Sequence, residues 1–329
     1  MKAFVLRSYG SPDALELTDV DKPAPAPGEV LVRVRATNVQ PWDWHLMRGE
    51  PYVARVMPGG LGLRKPKITI LGADVAGVVE AVGKGVTEFG PGDEVFGMPP
   101  KGGALAEYVC VPESEVAPKP ENLSFEQAAA VPLAAITALL GVRDHGRTRP
   151  DHRVLVNGAS GGVGTFAVQV AKAYGAHVTG VCSSRNVDLV RSLGADEVID
   201  YTKEDFTRGG RPYDVIIYNA GTRSFSECRR VLKRKGVCVL VGGSASRWLQ
   251  PAGRIFATLA MSAFVPQKAA MADVVGNKET RRNLIELTDL IEDGKVTPVV
   301  DRTYPFEDVS AALRYSEEGH APGKIVITM

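Results

Sequence analysis

The chain has 329 residues, 44% apolar and 23% charged, with a net charge of +1. Such length and apolar content favour two domains with ample core, and the charge balance gives no global pull toward nucleic acid or an anionic membrane. Four dispersed cysteines (Cys110, Cys182, Cys228, Cys238) argue against a disulfide framework, the opening Met1-Lys2-Ala3-Phe4-Val5 reads as a strand rather than a secretory signal, and no 18-residue apolar run is free of charges or breakers, so the cytosol is the expected compartment.

The first part of the chain reads as short strands punctuated by glycine and proline. Val30, Val32 and Val34 alternate with Arg33 and Arg35 in one of them. Others are expected at Ile68–Leu71, Ala76–Ala81, Glu94–Phe96 and Ala106–Val111, a spacing that suits a partly open β-barrel. Ser124 and Gln127 then form a capping box that opens a helix running on to Leu140.

From residue 153 strands and helices alternate, as in a doubly wound parallel sheet. Strands are expected at Val154–Val156, His177–Val181, Glu197–Asp200, Tyr213–Tyr218 and Val237–Val241, with helices near Val187–Leu193 and Phe225–Leu232. Ser262–Pro266 suggests an outer strand, where Pro266 is tolerated only at an edge. A helix at Thr280–Asp293, a segment Thr297–Arg302, a short helix at Val309–Ser316 and a last strand Lys324–Thr328 follow; that strand has no place in the parallel sheet and is expected back in the barrel.

The most informative stretch is Val154-Leu155-Val156-Asn157-Gly158-Ala159-Ser160-Gly161-Gly162-Val163-Gly164, an apolar strand that ends in a glycine cluster from which a helix begins. Glycines allow a tight turn and close backbone approach to a pyrophosphate, and the helix start presents free N–H groups to the anion. Strand before and helix after make this a dinucleotide site rather than an ordinary strand-to-helix turn.

Together with this loop, Pro27-Gly28-Glu29-Val30-Leu31-Val32-Arg33-Val34, Leu71-Gly72-Ala73-Asp74-Val75-Ala76-Gly77, Pro91-Gly92-Asp93-Glu94-Val95-Phe96-Gly97, Leu193-Gly194-Ala195-Asp196 and Gly323-Lys324-Ile325-Val326-Ile327 give the whole chain a resemblance to the medium-chain dehydrogenase/reductase superfamily, in its zinc-free quinone oxidoreductase-like branch. The resemblance implies an α/β protein with a GroES-like partly open β-barrel domain (residues 1–124 and 271–329), a Rossmann doubly wound parallel-sheet domain (125–270), substrate bound in the cleft between them, and a homodimer joined near Ser262–Pro266.

Alcohol dehydrogenases of this superfamily hold catalytic zinc with cysteine and histidine at positions that here are Gln40 and Ala73. An amide and a methyl do not replace a thiolate and an imidazole, and no cluster of four closely spaced cysteines offers a structural zinc site. Without a Lewis acid an unactivated ketone is hard to polarise, whereas a quinone or an α,β-unsaturated carbonyl spreads the incoming charge over oxygen and needs only hydrogen-bond donors.

The end of the second strand of the parallel sheet lacks the acid that would bind a ribose 2′-hydroxyl; it reads Cys182-Ser183-Ser184-Arg185-Asn186, where Ser183, Ser184 and Arg185 suit a 2′-phosphate and hence NADPH. By resemblance Tyr201 contacts that phosphate and Thr137 lies beside the nicotinamide, though Thr137 also reads as a helix hydroxyl bonded to the preceding turn. Asn219, Gly242 and Gly243 fall at the carboxyl edge of the sheet, where cofactors bind, and join Ser160, Gly161, Gly162, Val163 and Gly164 as cofactor contacts. On the substrate side the resemblance points to Gln40, Asp43, His45 and Tyr52; Gln40 and Tyr52 are candidate donors to the developing oxyanion, Asp43 reads equally as a loop-holding residue, and His45 as packing. The basic segment Val53–Lys67, with Arg55, Arg64, Lys65 and Lys67, reads either as a lid for an acidic substrate or as a solvated loop. The expected activity is NADPH-dependent, zinc-independent hydride transfer to a quinone or conjugated carbonyl. An enoyl-thioester reductase and a low-turnover NADPH-binding sensor are the alternatives.

Overall fold

The computed structural model describes residues 1–56, 60–210, 212–241, 252–272, 274 and 278–329. In chain order the strands are β1 (Lys2–Leu6), β2 (Leu15–Asp19), β3 (Glu29–Val39), β4 (Val75–Val82), β5 (Glu94–Gly97), β6 (Tyr108–Pro112), β7 (Val116–Pro118), β8 (Arg153–Asn157), β9 (His177–Cys182), β10 (Glu197–Asp200), β11 (Tyr213–Tyr218), β12 (Leu232–Leu240), β13 (Lys268–Met271), β14 (Val300–Pro305) and β15 (Lys324–Thr328). The helices are α1 (Pro41–Arg48), α2 (Val53–Val56), α3 (Phe125–Ala129), α4 (Pro132–Leu139), α5 (Gly162–Ala173), α6 (Val187–Ser192), α7 (Phe225–Cys228), α8 (Ala252–Ser262), α9 (Thr280–Glu292) and α10 (Val309–Glu317). The chain forms two compact units, one of residues 1–133, 277–292 and 298–329, the other of 134–276 and 293–297.

The first unit is built on a seven-stranded sheet ordered β14-β15-β3-β4-β5-β7, with β6 also on β3. Its spine is β3, where the expected alternation holds: Val30, Val32 and Val34 are buried and Arg33 and Arg35 are exposed. Together with Val75, Val79, Val95, Val109, Val111 and Val116 these valines form one core, which suits β-branched side chains on a pleated surface. Irregular pairing between β3 and β4 at Leu31/Val32 and Val34/Ala36 bends the ladder. Beyond the bend Ala36 to Val39 are all buried, and these residues carry Thr37 and Asn38 into the interior. The last strand, β15, returns to this sheet and pairs antiparallel with β3, as the sequence predicts.

The second unit holds a six-stranded sheet ordered β10-β9-β8-β11-β12-β13, parallel throughout. The chain moves outward from β8 to β10 and then crosses to β11 on the other side of β8. That reversal makes the doubly wound Rossmann arrangement and leaves a crevice at the carboxyl ends of β8 and β11. Leu155, Val181, Ile216, Tyr218, Cys238 and Leu240 share its core.

Several elements differ from the sequence reading. Ile68–Leu71 contributes a single bridge, Val5 to Ile70, rather than a strand. The helix expected from Ser124 to Leu140 breaks into α3 and α4, because Pro132 has no N–H to continue α3. The helix expected over Phe225–Leu232 is present as α7 continued by a tighter 3-10 turn, Arg229–Val231, and β12 begins at Leu232. Thr297–Arg302 gives way to β14, which starts at Val300. Ser262–Pro266 is not a strand: α8 ends at Ser262, and the outer strand of the sheet is β13. The boundaries between the units fall after Leu133 and Gly276, against 124 and 270 expected, so α3 and the following turn belong with the barrel.

Candidate functional site

The loop after β8 is shaped by two glycines. Gly158 has φ +75°, which favours a residue without Cβ, and its N–H and that of Ala159 both donate to Val181 O on β9, at 3.1 and 3.0 Å. Gly161 then caps α5. A Cβ on Gly164 would stand 2.0 Å from Gly158 O, so the first turn of α5 packs directly on the loop backbone. A Cβ on Gly161 would meet only that same oxygen, at 3.6 Å. The first intrahelical bond is Thr165 N–H to Gly161 O at 2.9 Å, and the preceding N–H groups of Gly162, Val163 and Gly164 lie in the open first turn. The loop therefore offers an anion-binding helix start at the switch point.

The ends of β8, β9 and β11 are tied to this loop, and other expected cofactor residues lie in the same unit. Asn186 donates from Nδ2 to Ser160 Oγ at 3.0 Å, which ties the turn after β9 to the glycine loop. The Asn157 side chain donates to Ala220 O and closes the end of β8 onto the end of β11. Asn219, next in chain, has both side-chain polar atoms shut off from water with no partner among the described residues. An amide costs free energy in that state unless a ligand completes it, so this pair of atoms fits a bound cofactor. Thr137 is buried on α4 in the same unit. Ser183, Ser184 and Arg185 follow β9, with Ser184 and Arg185 exposed, and Tyr201 is exposed beside them, its N–H donating to Cys182 O at 3.0 Å. Gly242 and Gly243 lie outside the described residues.

Ser184 is engaged within the chain. Its hydroxyl donates to Asp200 Oδ2 at 2.5 Å, so it does not offer a free proton to a phosphate. Sequence reasoning missed Asp200 because it sits at the end of β10, and only strand pairing sets it beside Cys182. It missed Lys203 for the same reason, since Lys203 Nζ lies 3.2 Å from Asp200 Oδ2.

In the barrel unit the substrate candidates occupy a buried polar cluster. Gln40 is 6% exposed, and both ends of its amide are engaged: Oε1 accepts from Lys324 Nζ at 2.6 Å and Nε2 donates to Asp74 Oδ2 at 3.2 Å. Asp74 also accepts from Asn38 Nδ2 at 2.6 Å and Leu133 N–H at 2.9 Å, and stands 3.7 Å from the Lys324 ammonium. Burial raises the Asp74 pKa and lowers that of Lys324.

Asp43 is fully buried, and its carboxylate accepts from Gln40 N–H at 3.0 Å and Gly72 N–H at 2.9 Å; burial pushes its pKa up to about 7. It caps α1 and ties α1 to the turn before β4, the loop-holding role that the sequence also allowed. Tyr52 is half-buried under Arg55, whose guanidinium lies 4.6 Å from the Tyr52 ring and 4.1 Å from that of Tyr9. Arg55 also donates to Gly49 O and Arg48 O, both at 2.7 Å, so it clamps the loop base instead of reaching for a ligand. Tyr9 Oη bonds Leu61 O at 2.8 Å and Gly62 O at 2.7 Å, pinning the segment read as a lid. Arg64, Lys65 and Lys67 are exposed. His45 packs on Trp44, ring centroids 3.8 Å apart.

Comparison with known proteins agrees with both units. Residues 26–121 match the alcohol dehydrogenase GroES-like domain, and residues 193–327 match the zinc-binding dehydrogenase family. The mitochondrial NAD(P)H oxidoreductase RTN4IP1 of Bos taurus is 35% identical over all of this chain and 89% of its own length. The 2-methylene-furan-3-one reductase of Solanum lycopersicum is 36% identical over 99% of this chain and 79% of its own length. Among solved structures, the Escherichia coli quinone oxidoreductase complexed with NADPH superimposes over the whole of both chains with a TM-score of 0.84 at 25% identity. The chain belongs to the medium-chain dehydrogenase/reductase superfamily, in its quinone oxidoreductase-like branch.

Proposed function

We propose that the protein is an NADPH-dependent, metal-independent oxidoreductase that reduces a quinone or an α,β-unsaturated carbonyl. The observation that carries the cofactor half is the open first turn of α5 at the sheet's switch point, with the Asn219 amide, unpartnered among the described residues, beside it. Relatives named for NAD(P)H, quinone and 2-methylene-furan-3-one chemistry support the acceptor half.

When bound, the nicotinamide supplies the hydride. The chain's own residues would bind and orient it: the Gly162, Val163 and Gly164 N–H groups would hold the pyrophosphate, the Asn219 amide would bond the cofactor, and Arg185, Lys203 and Tyr201 would hold the 2′-phosphate. Gln40, its carbonyl fixed toward Lys324, directs Nε2 hydrogens away from the ammonium, and the one that Asp74 does not take is the donor for the developing oxyanion. The proton that completes reduction comes from Tyr52 or from water.

Zinc does not suit this cluster. The one ligand-capable oxygen of Gln40 is taken by an ammonium, and Ala73 offers a methyl. The four cysteines are free thiols, which suits a reducing compartment such as the cytosol. The exposed edge of β13, with Met271 and the nearby Phe264 also exposed, is where we place a homodimer contact, and sedimentation of the purified chain tests it.

NADPH oxidation against a panel of quinones, enones and enoyl-CoA thioesters tests the whole reading. Turnover with quinones or enones is expected. Preference for the thioesters would favour an enoyl-thioester reductase, for which exposed Arg64, Lys65 and Lys67 offer an anionic carrier a landing site. Binding of NADPH with no turnover on any acceptor would reduce the protein to a sensor.

A further inference from the structure

The acid that β9 lacks at its carboxyl end is supplied by the neighbouring strand. β10 pairs with β9 so that Asp200 stands beside Cys182, directly before Ser183-Ser184-Arg185. Asp200 is 8% exposed and gathers its surroundings. Ser184 Oγ donates to Oδ2 at 2.5 Å, while Thr202 donates twice to Oδ1, from its hydroxyl at 2.6 Å and from its N–H at 3.0 Å. Lys203 Nζ lies 3.2 Å from Oδ2. The hydrogen bonds from Ser184, then Thr202, hold the carboxyl far below the usual carboxylate range.

A serine or threonine hydroxyl carries one hydrogen. Asp200 takes both, so Ser184 and Thr202, whose oxygens lie 3.1 Å apart, turn only lone pairs to a ligand. Such an edge receives a hydroxyl, which donates. It resists a phosphate, whose oxygens also accept. Arg185 and Lys203, both exposed, act in the other direction by attracting a dianion.

We propose that Asp200 is a specificity-determining residue of the cofactor's adenosine ribose: by holding Ser184 as an acceptor it lets the site take the 2′-hydroxyl of NADH beside the 2′-phosphate of NADPH. This rests on the nicotinamide-cofactor reading above and deepens it.

Equilibrium binding of NADPH and NADH, followed by calorimetry on wild type, Asp200→Asn, Ser184→Ala and Lys203→Gln, tests the assignment. Wild type is expected to bind both nucleotides, with constants within about a hundredfold of each other. Asp200→Asn keeps the shape and an acceptor for Thr202 but removes the charge and releases the Ser184 hydrogen; it should move the NADPH-over-NADH ratio about tenfold or more toward NADPH, the scale of one charge-assisted hydrogen bond. Ser184→Ala should weaken NADH several-fold and leave NADPH nearly unchanged, and Lys203→Gln should weaken NADPH alone. An equal shift of both nucleotides in Asp200→Asn, or a shift toward NADH, overturns the proposal while leaving the cofactor reading intact. If Asp200→Asn fails to fold, Ser184→Ala decides by the same ratio. A wild-type chain that binds neither nucleotide sinks the cofactor reading, and this inference with it.

Discussion

Lys324 Nζ donates a 2.6 Å hydrogen bond to Gln40 Oε1 across 284 residues of sequence, and both side chains are almost wholly buried. The bond joins the last strand of the barrel sheet to the start of α1, with Asp74 3.7 Å from the ammonium on a third segment. Lys324→Met keeps the length of the side chain but leaves Asp74 buried without its cation. Stability in urea should fall by about 3–5 kcal/mol, as for a buried pair broken on one side. Adding Asp74→Asn to Lys324→Met should recover much of that loss, because the uncompensated charge goes with it. A double variant as unstable as the single one would contradict this account.

Asp43 gives the stability of the barrel a pH dependence. Its folded pKa is raised to about 7 from an ordinary 3.8, chiefly by burial. The folded state therefore holds a proton that the unfolded state has released, and the stability so gained is full below pH 4 and lost as pH rises toward 7. The melting temperature of wild type should decline as pH is raised from 5 to 8. Asp43→Asn, which does not titrate, should be less stable, having lost one acceptor for a backbone N–H, but should melt with a flatter profile over that range. An identical slope in both proteins would remove Asp43 as its source.

Gly164 and Gly161 should part company when each becomes alanine. At Gly164 the added methyl meets Gly158 O at 2.0 Å, and only a backbone shift relieves that contact. Gly164→Ala should cost about 1–3 kcal/mol by overpacking and displace the loop that cradles the pyrophosphate. At Gly161 the methyl finds ordinary contact, so Gly161→Ala should fold as wild type does while crowding the face open to the anion. Thermal melts alongside nucleotide titrations separate the two effects.

Asn219→Ala should weaken nucleotide binding without a cost in stability, since both polar atoms of Asn219 are buried without partners among the described residues. A melting temperature equal to or above that of wild type, with a several-fold weaker dissociation constant, is the expected result. Lower stability with unchanged binding would assign Asn219 to the scaffold.

Arg185→Glu should raise the dissociation constant for NADPH about tenfold or more through loss of a charge-assisted contact, and that for NADH far less. Equal effects on both nucleotides would discard Arg185 as a 2′-phosphate residue.

The strand-glycine-helix pattern at 154–164 and the valine alternation of β3 were legible because each depends on neighbours in sequence. A period of two buries alternate side chains, and a glycine run set between a strand and a helix suits a nucleotide phosphate. The strand–helix alternation of the parallel sheet and the open helix start hold, and so does the return of Lys324–Thr328 to the barrel, expected because that strand had no place in the parallel sheet. Where the sequence reading slipped, a local signal lost to a longer-range one. Pro132 cut a run that looked continuous, and the outer strand proved to be β13 rather than the segment before it.

The chemistry of the sites was less legible. Gln40 and Asp43 could be named from resemblance, but nothing in their neighbourhood announces that Lys324 would bind one, or that Gly72 would engage the other. Ser184 looked like a phosphate donor until strand pairing brought Asp200 to it. Sequence by itself thus determined the architecture and pointed to a nicotinamide dinucleotide, because backbone periodicity and glycine freedom act over a few residues. Only the tertiary structure decided which hydroxyls still have a proton to give and which charges are compensated, because hydrogen bonding and burial depend on what the fold brings within 3 Å from distant parts of the chain.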